Sequence, residues 1–442
     1  MASVFNTFFS LAFAALAFLL PLGTVFIVQN AESQYERVLV TATDILLVAV
    51  IVFGVLFWIR SRKHDPMLRR IAAILFAFLV FAAISLFAVP ELSLIQFAAF
   101  FRLALAVCAA CFIAIIPSQK NMAFIALVIA GVLQAGYGIV QFATQQIDPI
   151  PWLGVASHSP FTLGDAVVQT AQMRFLRAYG SFVHPNILGA FLGVSFFISI
   201  FLVRTVQRAA SRAALIGSAL IITVGVLLTF SRGVWLALAV AVIVSYCIDR
   251  WYVRRSPSSP QTKNDSLQIF TIGVLAVCTI FIFFFSDVVA SRIGIAGNAR
   301  LETRSVNERL TSIGDAISII QSNPFGIGIG NYVPYRMQQD RQAGSLRPHY
   351  EYQPIHSHLL LILAEVGIVG FAAIMVFFFA VFFVTRQRVL AAEYQPAFLA
   401  LIIDIGVFLF VSGLFDHAYW TIPSAIILWW FCIGLLLRSR PC

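Results

Sequence analysis

Charge is scarce along this chain. Only 11% of its 442 residues are Asp, Glu, Lys or Arg, against 60% that are hydrophobic. So little charge excludes a string of soluble domains, whose surfaces must be polar to stay in water. Cysteine is scarce too. Cys108, Cys111, Cys247, Cys278 and Cys432 fall in apolar runs, and Cys442 is the last residue. The CxxC spacing of Cys108 and Cys111 inside such a run reads as small packing residues rather than a redox pair. The Walker lysine is missing, so no nucleotide loop is expected. No acidic pair of the DxD kind occurs in the long loops, and His349, His356 and His358 lack a carboxylate or cysteine at ligand spacing, so no metal site is expected. The first apolar run starts near Phe8 with no basic segment before it. A cleavable signal peptide is therefore not expected.

What is abundant is apolar. The chain has 43 phenylalanines and a mean hydropathy of +0.93, which makes sense where lipid is the solvent. A bilayer core of roughly 30 Å takes about 20 apolar residues per helix. Unpaired backbone groups are too costly there for anything but helices or a closed barrel. The runs are continuous rather than alternating, so helices are expected. Windows of about 19 residues place spans near 7–29, 38–59, 71–89, 97–116, 122–141, 186–203, 213–230, 234–248, 266–286, 357–384, 396–415 and 422–437. The fold expected is an all-α polytopic membrane protein of about twelve transmembrane helices with a large, partly helical loop. Four parts follow: helices 1–4 (1–121), helices 5–9 with a loop over 142–185 (122–286), the large loop (287–356) and helices 10–12 (357–442).

The net charge of +10 would suggest nucleic acid in a soluble protein. Here the basic residues sit mainly in alternate short loops, among them Arg60, Arg62, Lys63, Arg69, Arg70, Arg204, Arg208, Arg212, Arg254, Arg255, Arg386 and Arg388. By the positive-inside rule that side is cytoplasmic, and both termini lie on it. Membrane lipid, not nucleic acid, is the expected surroundings.

The loops at 142–185 and 287–356 then face outward. The second, about 70 residues long, is more than a connector. It carries Arg292, Arg300, Arg304, Arg309, Arg336, Arg341 and Arg347 against the orientation bias. Anchoring to anionic headgroups explains such arginines; a site for a phosphate-bearing ligand explains them as well, because a guanidinium grips phosphate oxygens in bidentate fashion. Ser305-Val-Asn-Glu308 has capping-box spacing, and Leu310, Ile313, Ile317 and Ile320 follow on one face before Asn323-Pro324. This predicts an amphipathic helix at the membrane surface with Arg309 in its first turn. The Gly326, Gly328 and Gly330 run after it is either a flexible turn or a place where backbone N–H groups approach a diphosphate.

Four elements concentrate polar chemistry on the outer face: RAYGSFVHPN (177–186), FSRGVWLAL (230–238), NERLTSIGDAISIIQSNPFGIGIGNY (307–332) and HSHLLLILAEVG (356–367). Arg232 must sit at the membrane boundary, where either snorkelling or an anion explains it. His356 and His358, at a helix start beside an arginine-rich loop, suit acid–base work or a cap. Asp44, Arg102, Glu365 and Asp404 fall within spans, their partners open.

Together, and in this order, the four elements resemble the O-antigen ligase and polymerase superfamily of bacterial envelope glycosyltransferases, over roughly residues 120–415. The His356-Ser357 pair followed by Gly367 looks like the ligase histidine motif, although Ile368 is less typical of it. The resemblance implies a GT-C-like membrane glycosyltransferase of the bacterial inner membrane, working at the periplasmic face. It implies transfer of a glycan from undecaprenyl diphosphate to a lipid A–core hydroxyl, with inversion and without metal or cofactor. A polymerase would use another lipid-linked repeat as acceptor. By motif match, His356, Arg232 and Arg309 are the expected catalytic residues, His356 as base and the arginines on the departing diphosphate. Arg177, Asn186, Gly328, Gly330, Tyr332, His358 and Glu365 are the expected substrate-binding residues. A transporter is the reading from another class, with the intramembrane charges lining a path; carriers usually repeat their helical halves, and no such repeat is visible. A pure scaffold would not need arginines and histidine on one face. Transfer assayed in detergent with a chelator present is expected to match transfer with added magnesium; a requirement for the metal would end the arginine model.

Overall fold

The computed structural model describes residues 2–31, 35–60, 66–116, 120–170, 172–255, 265–294, 300–348, 351–390 and 396–437. Helix α1 (Ala2–Leu19) leads to a hairpin of β1 (Val25–Gln29) and β2 (Val38–Thr41), followed by α2 (Ala42–Arg60), α3 (Pro66–Ser85), α4 (Leu94–Ile115) and α5 (Lys120–Thr144). A second hairpin, β3 (Val167–Gln169) and β4 (Arg174–Leu176), precedes α6 (Pro185–Thr205), α7 (Ala209–Leu228), α8 (Arg232–Arg255) and α9 (Asp265–Phe284). Then come α10 (Ser286–Arg292), α11 (Arg300–Ser322), α12 (Tyr332–Gln342), α13 (His358–Leu390), α14 (Pro396–Leu414), the single turn α15 (Ala418–Thr421) and α16 (Pro423–Leu436).

The all-α polytopic expectation is met. Among the described residues nine helices are long and apolar enough to cross a membrane, and three shorter apolar helices occupy Thr7–Leu19, Arg232–Ile248 and Pro423–Leu436. A belt of outward phenylalanine and isoleucine, including Ile59, Phe76, Phe101, Ile272 and Phe283, is exposed as lipid contact demands.

The expected first span, 7–29, is corrected. Helix α1 stops at Leu19, because Pro21 and Gly23 cannot continue it. The β-branched run Val25–Gln29 then pairs antiparallel with Val38–Thr41, so the start of the expected second span is strand as well. The capping box at Ser305 is corrected too. Helix α11 is already under way at Arg300, so Ser305 lies within it and Arg309 is not in the first turn. Val306, Leu310, Ile313 and Ile317 form an exposed apolar stripe, while Ala316 and Ile319 are buried toward the bundle. His349, and Arg62 and Lys63 among the basic residues used to assign orientation, lie outside the described residues.

Helix α6 is the central pillar, with 17 of its 21 residues buried. It packs against α5, α7 and α14, and rings such as Phe197–Phe408 and Phe201–Phe398 interlock across it. In lipid, such close packing rather than water exclusion holds helices together. Asp44 and Arg102, unpartnered in the sequence, form an ion pair at 3.1 Å, and Arg102 also donates to the Leu39 carbonyl of β2 at 2.6 Å. Asp404 is buried within α14.

Helix α13 is broken at Gly367 (φ 77°, ψ 178°). The break strips intrahelical partners from nearby carbonyls and amides, and at membrane depth these must be satisfied by protein. The glycine run does this. Ile327 and Gly328 donate to the Ala364 and Glu365 carbonyls at 3.0 and 2.9 Å, and Ile368 donates to the Pro324 carbonyl at 2.9 Å. A Cβ on Gly367 would overlap the Phe325 carbonyl group, and one on Gly326 the Glu365 carbonyl; both glycines also have positive φ.

Gly326→Ala and Gly367→Ala should each cost at least the ~1–3 kcal/mol of a side chain held in a disfavoured backbone region. Thermal unfolding in detergent will report this as a lower midpoint. Gly314→Ala, where an added Cβ meets nothing within 4 Å, should not lower it.

Candidate active site

The loop–helix junctions at one end of the bundle converge on the top of α6. Its first turn is capped by His184, whose Nδ1 accepts from the Asn186 amide at 3.1 Å. Asn186 then bridges two ions: its Oδ1 accepts from the Arg177 guanidinium at 2.8 Å, and its Nδ2 donates to Asp416 Oδ2 at 2.8 Å. Arg177, 4% exposed, also donates from Nε to the Thr229 carbonyl at 2.6 Å. One buried arginine thus joins the RAYGSFVHPN segment, the turn before α8 and the turn after α14.

The turn before α8 is tight because Phe230 takes a left-handed conformation (φ 46°), unusual for a bulky residue. Aromatic packing holds it there: the ring is fully buried among Phe142, Trp235 and Phe281. The Phe230 carbonyl accepts from Arg292 Nε at 2.8 Å, and Arg232, the first residue of α8, donates to the Arg292 carbonyl at 3.4 Å. Ser291 is tied to the Gln169 carbonyl of β3.

A narrow cleft of about 20 Å³ results, lined by Arg232, Arg292, Arg309, Asn186 and Asp416 together with Ser231, Gly233 and Val234. The last three belong to the turn before α8 and its first turn, where backbone N–H groups have no intrahelical acceptors. Three guanidinium groups and a helix N-terminus therefore face one small space, a setting that favours an anion. The field of a helix start, expected at Arg309, is supplied by α8 instead.

His356 stands beside this cleft. Its ring centroid is 5.4 Å from that of His417. Burial and then the Arg309 charge hold His356 below the ordinary imidazole range, against the opposing fields of Asp416 and Glu308. It is a neutral base at neutral pH. Burial would raise the Asp416 carboxyl, but His417, His184, the Asn186 hydrogen bond and His356 outweigh it and hold Asp416 below the usual carboxylate range. Asp416 is thus an anion facing three imidazoles. Burial and the Arg177 charge push His184 down to about 3, and burial pushes His417 down to about 4. Among the described residues no group of three or more His, Cys, Asp or Glu is placed to hold a metal ion.

The expected site residues divide. Arg232, Arg309 and Asn186 line the cleft with His356 at its side. Arg177 lies behind Asn186, positioning it. Gly330, Tyr332 and Glu365 line a second, larger cavity. The diphosphate cradle suggested for the glycine run is corrected, because every backbone N–H from Gly326 to Tyr332 already has a protein acceptor. Gly330 and Tyr332 donate to the Glu365 carboxylate at 2.8 and 3.0 Å, Ile329 to Ser85 Oγ at 3.2 Å, and the remaining four to backbone carbonyls. Gly328 is part of that staple, its N–H on the Glu365 carbonyl. Glu365 also accepts from Trp420 Nε1 at 2.7 Å. His358 lines neither cavity; its buried ring lies against Trp429, at 4.8 Å, with Tyr419 and Trp420 around it. Asp416, His184 and His417 are not among the site residues expected from the sequence, and Arg292 is named there only as one of the loop arginines. Asp416 sits alone after an apolar span, and only its place just beyond the end of α14 marks it.

Fold and site together describe a polytopic membrane protein with a cationic cleft and a neutral histidine at one end of its bundle. Residues 217–375 match the family model described as O-antigen ligase, and this match supports the O-antigen ligase and polymerase superfamily that the motifs resemble. Members of that family are glycosyltransferase-like enzymes. No curated protein matches the chain. The matched segment contains Arg232, Arg292, Arg309 and His356, whereas His184, Asn186, Asp416 and His417 lie outside it.

Because His184 is held neutral, the unfolded chain binds one more proton than the folded one between pH 6.5 and about 3. Stability should therefore fall as pH drops through that window. His184→Asn keeps a capping side chain and removes this titration. Its loss of unfolding free energy between about pH 7 and about pH 5, read by denaturant titration in detergent, should be smaller than the wild type's by on the order of 1 kcal/mol.

Proposed function

We propose that this protein is an inner-membrane glycosyltransferase of the O-antigen ligase type. It moves a glycan from undecaprenyl diphosphate to a lipid A–core sugar hydroxyl at the periplasmic face, without a cofactor. Both termini lie in the cytoplasm on this reading. The observation that carries it is the convergence of Arg232, Arg292 and Arg309 on one cleft beside neutral His356. A polymerase of the same superfamily would use the same cleft, with a second lipid-linked repeat as acceptor.

The donor diphosphate docks at the mouth of the cleft and directs an oxygen toward the guanidinium groups and the N-terminal turn of α8. The acceptor hydroxyl attacks the anomeric carbon from the face opposite the diphosphate. The new C–O bond forms as the bond to the diphosphate oxygen breaks, and the configuration inverts. The departing oxygen takes the electron pair, and its growing charge is met by cations already in place, which need not reorganise. The hydroxyl proton passes to a ring nitrogen of His356, and the Asp416 field stabilises the imidazolium. Asp416 itself stays oriented by Asn186 and by the Ala418 amide, 2.9 Å from Oδ1. The arginines supply the charge stabilisation that a divalent ion supplies in other transferases.

His356→Ala should lower transfer by roughly 10²–10⁴-fold, the worth of a general base, in a protein that still purifies as wild type does. Normal glycan attachment in cells carrying only this variant removes His356 from the mechanism. Arg232→Ala and Arg309→Ala should each raise the KM for the lipid-diphosphate donor and lower kcat, since they meet charge that grows in the transition state. Unchanged steady-state constants for either would overturn its role.

A further inference from the structure

The second cavity has a volume of about 190 Å³, space for roughly a dozen water molecules, and the mechanism above leaves it unused. Its walls come from the β1–β2 hairpin, α4, the 329–333 stretch and the 420–426 turn. Only Ile329, Gly330, Tyr332, Val333, Pro354 and Glu365 of its lining fall inside the segment that matches the family model. The N-terminal third of the chain supplies most of the rest.

Its chemistry differs from that of the arginine cleft. Thr41, Thr43, Thr421 and Ser424 line it among aliphatic groups, with Tyr35 and Trp420; the Thr41 and Thr43 hydroxyls bond each other at 2.8 Å. Its two guanidinium groups already have protein partners. Arg102 is held by Asp44 and the Leu39 carbonyl, and Arg37 donates from Nε to the Ala31 carbonyl at 2.8 Å. Such a lining suits an uncharged, hydroxyl-rich ligand with apolar ring faces, not a diphosphate.

Its position is equally specific. His417 lines neither space, but its ring contacts link the cavity to the base: it lies 5.9 Å from Tyr35 of the cavity lining and 5.4 Å from His356. A hydrogen bond of 2.8 Å between its Nδ1 and the Thr421 hydroxyl holds the ring there.

We propose that this cavity receives the terminal sugar of the acceptor glycan and presents a hydroxyl past Tyr35 and His417 to His356. This rests on the transferase reading above and adds a separate subsite to it. The N-terminal hairpin and α4 then select the acceptor, while the matched segment carries out the chemistry.

Steady-state kinetics on the full-length protein in detergent tests this, with rough lipopolysaccharide as acceptor and an undecaprenyl-diphosphate-linked glycan as donor. Ala98→Phe fills the cavity from α4, and Arg37→Ala changes its rim at an exposed position. Each should raise the acceptor KM by about tenfold, a loss of about 1.4 kcal/mol, with the donor KM within about twofold of wild type. A rise in donor KM instead, or no change in either constant, overturns the subsite. Should Ala98→Phe fail to fold by gel filtration, Arg37→Ala decides alone. Absence of transfer by the wild type would sink the transferase reading and the subsite with it; transfer with unaltered acceptor KM in the variants sinks only the subsite.

Discussion

A single buried guanidinium organises the site. Arg177 holds the Thr229 carbonyl and the Asn186 side chain at once, and Asn186 passes the connection to Asp416. Three segments far apart in the chain are clamped through two side chains. A charge so deeply buried is costly unless its hydrogen bonds are met, so the clamp is also a constraint. The turn before α8, the top of α6 and the turn after α14 must take their observed places together. The strained Phe230 and the carbonyl it offers to Arg292 depend on that register.

The second constraint lies in the bundle wall. A broken helix is affordable at membrane depth only where protein meets its backbone groups. In α13 the glycine run from Gly326 to Gly330 does so, and the Glu365 carboxylate closes the remaining amides. The staple fixes the distance from α11, which carries Arg309, to α13, which His356 precedes by two residues. The loop that looked like a ligand cradle is therefore a positioning device. Its glycines are needed for positive φ and for close passage past Gly367.

Electrostatics follows from these two constraints. Arginines gather at one small cleft, and burial keeps the neighbouring imidazoles neutral, so cationic stabilisation and a free base coexist within a short distance. Asp416 links them, charged because hydrogen bonds and imidazoles surround it. His417 links Tyr35 of the second cavity to His356 beside the arginine cleft. On the proposed reading that link gives the N-terminal third a place in acceptor recognition, although none of its residues falls in the matched family segment.

Much of this was legible in the sequence. Continuous apolar runs specify helices, since lipid leaves the backbone no alternative, and the four polar motifs stand out because polar residues there are rare. Arg232, Arg309, Asn186 and His356 were chosen through the family resemblance that those motifs carry. The composition of 25–29 and 38–41 was misleading: apolar β-branched residues read as span until Pro21 and Gly23 are weighed. Asp416, Arg292, His184 and His417 gave weaker signals, because a lone polar residue at a helix end is ordinary and its meaning lies in what it meets. The sequence alone determined the solvent, the helices and the kind of ligand its arginines suit. Tertiary structure alone decided which arginines share a cleft, which amides are already occupied and which histidine faces the carboxylate. Those are questions of distance between segments, and no local pattern records them.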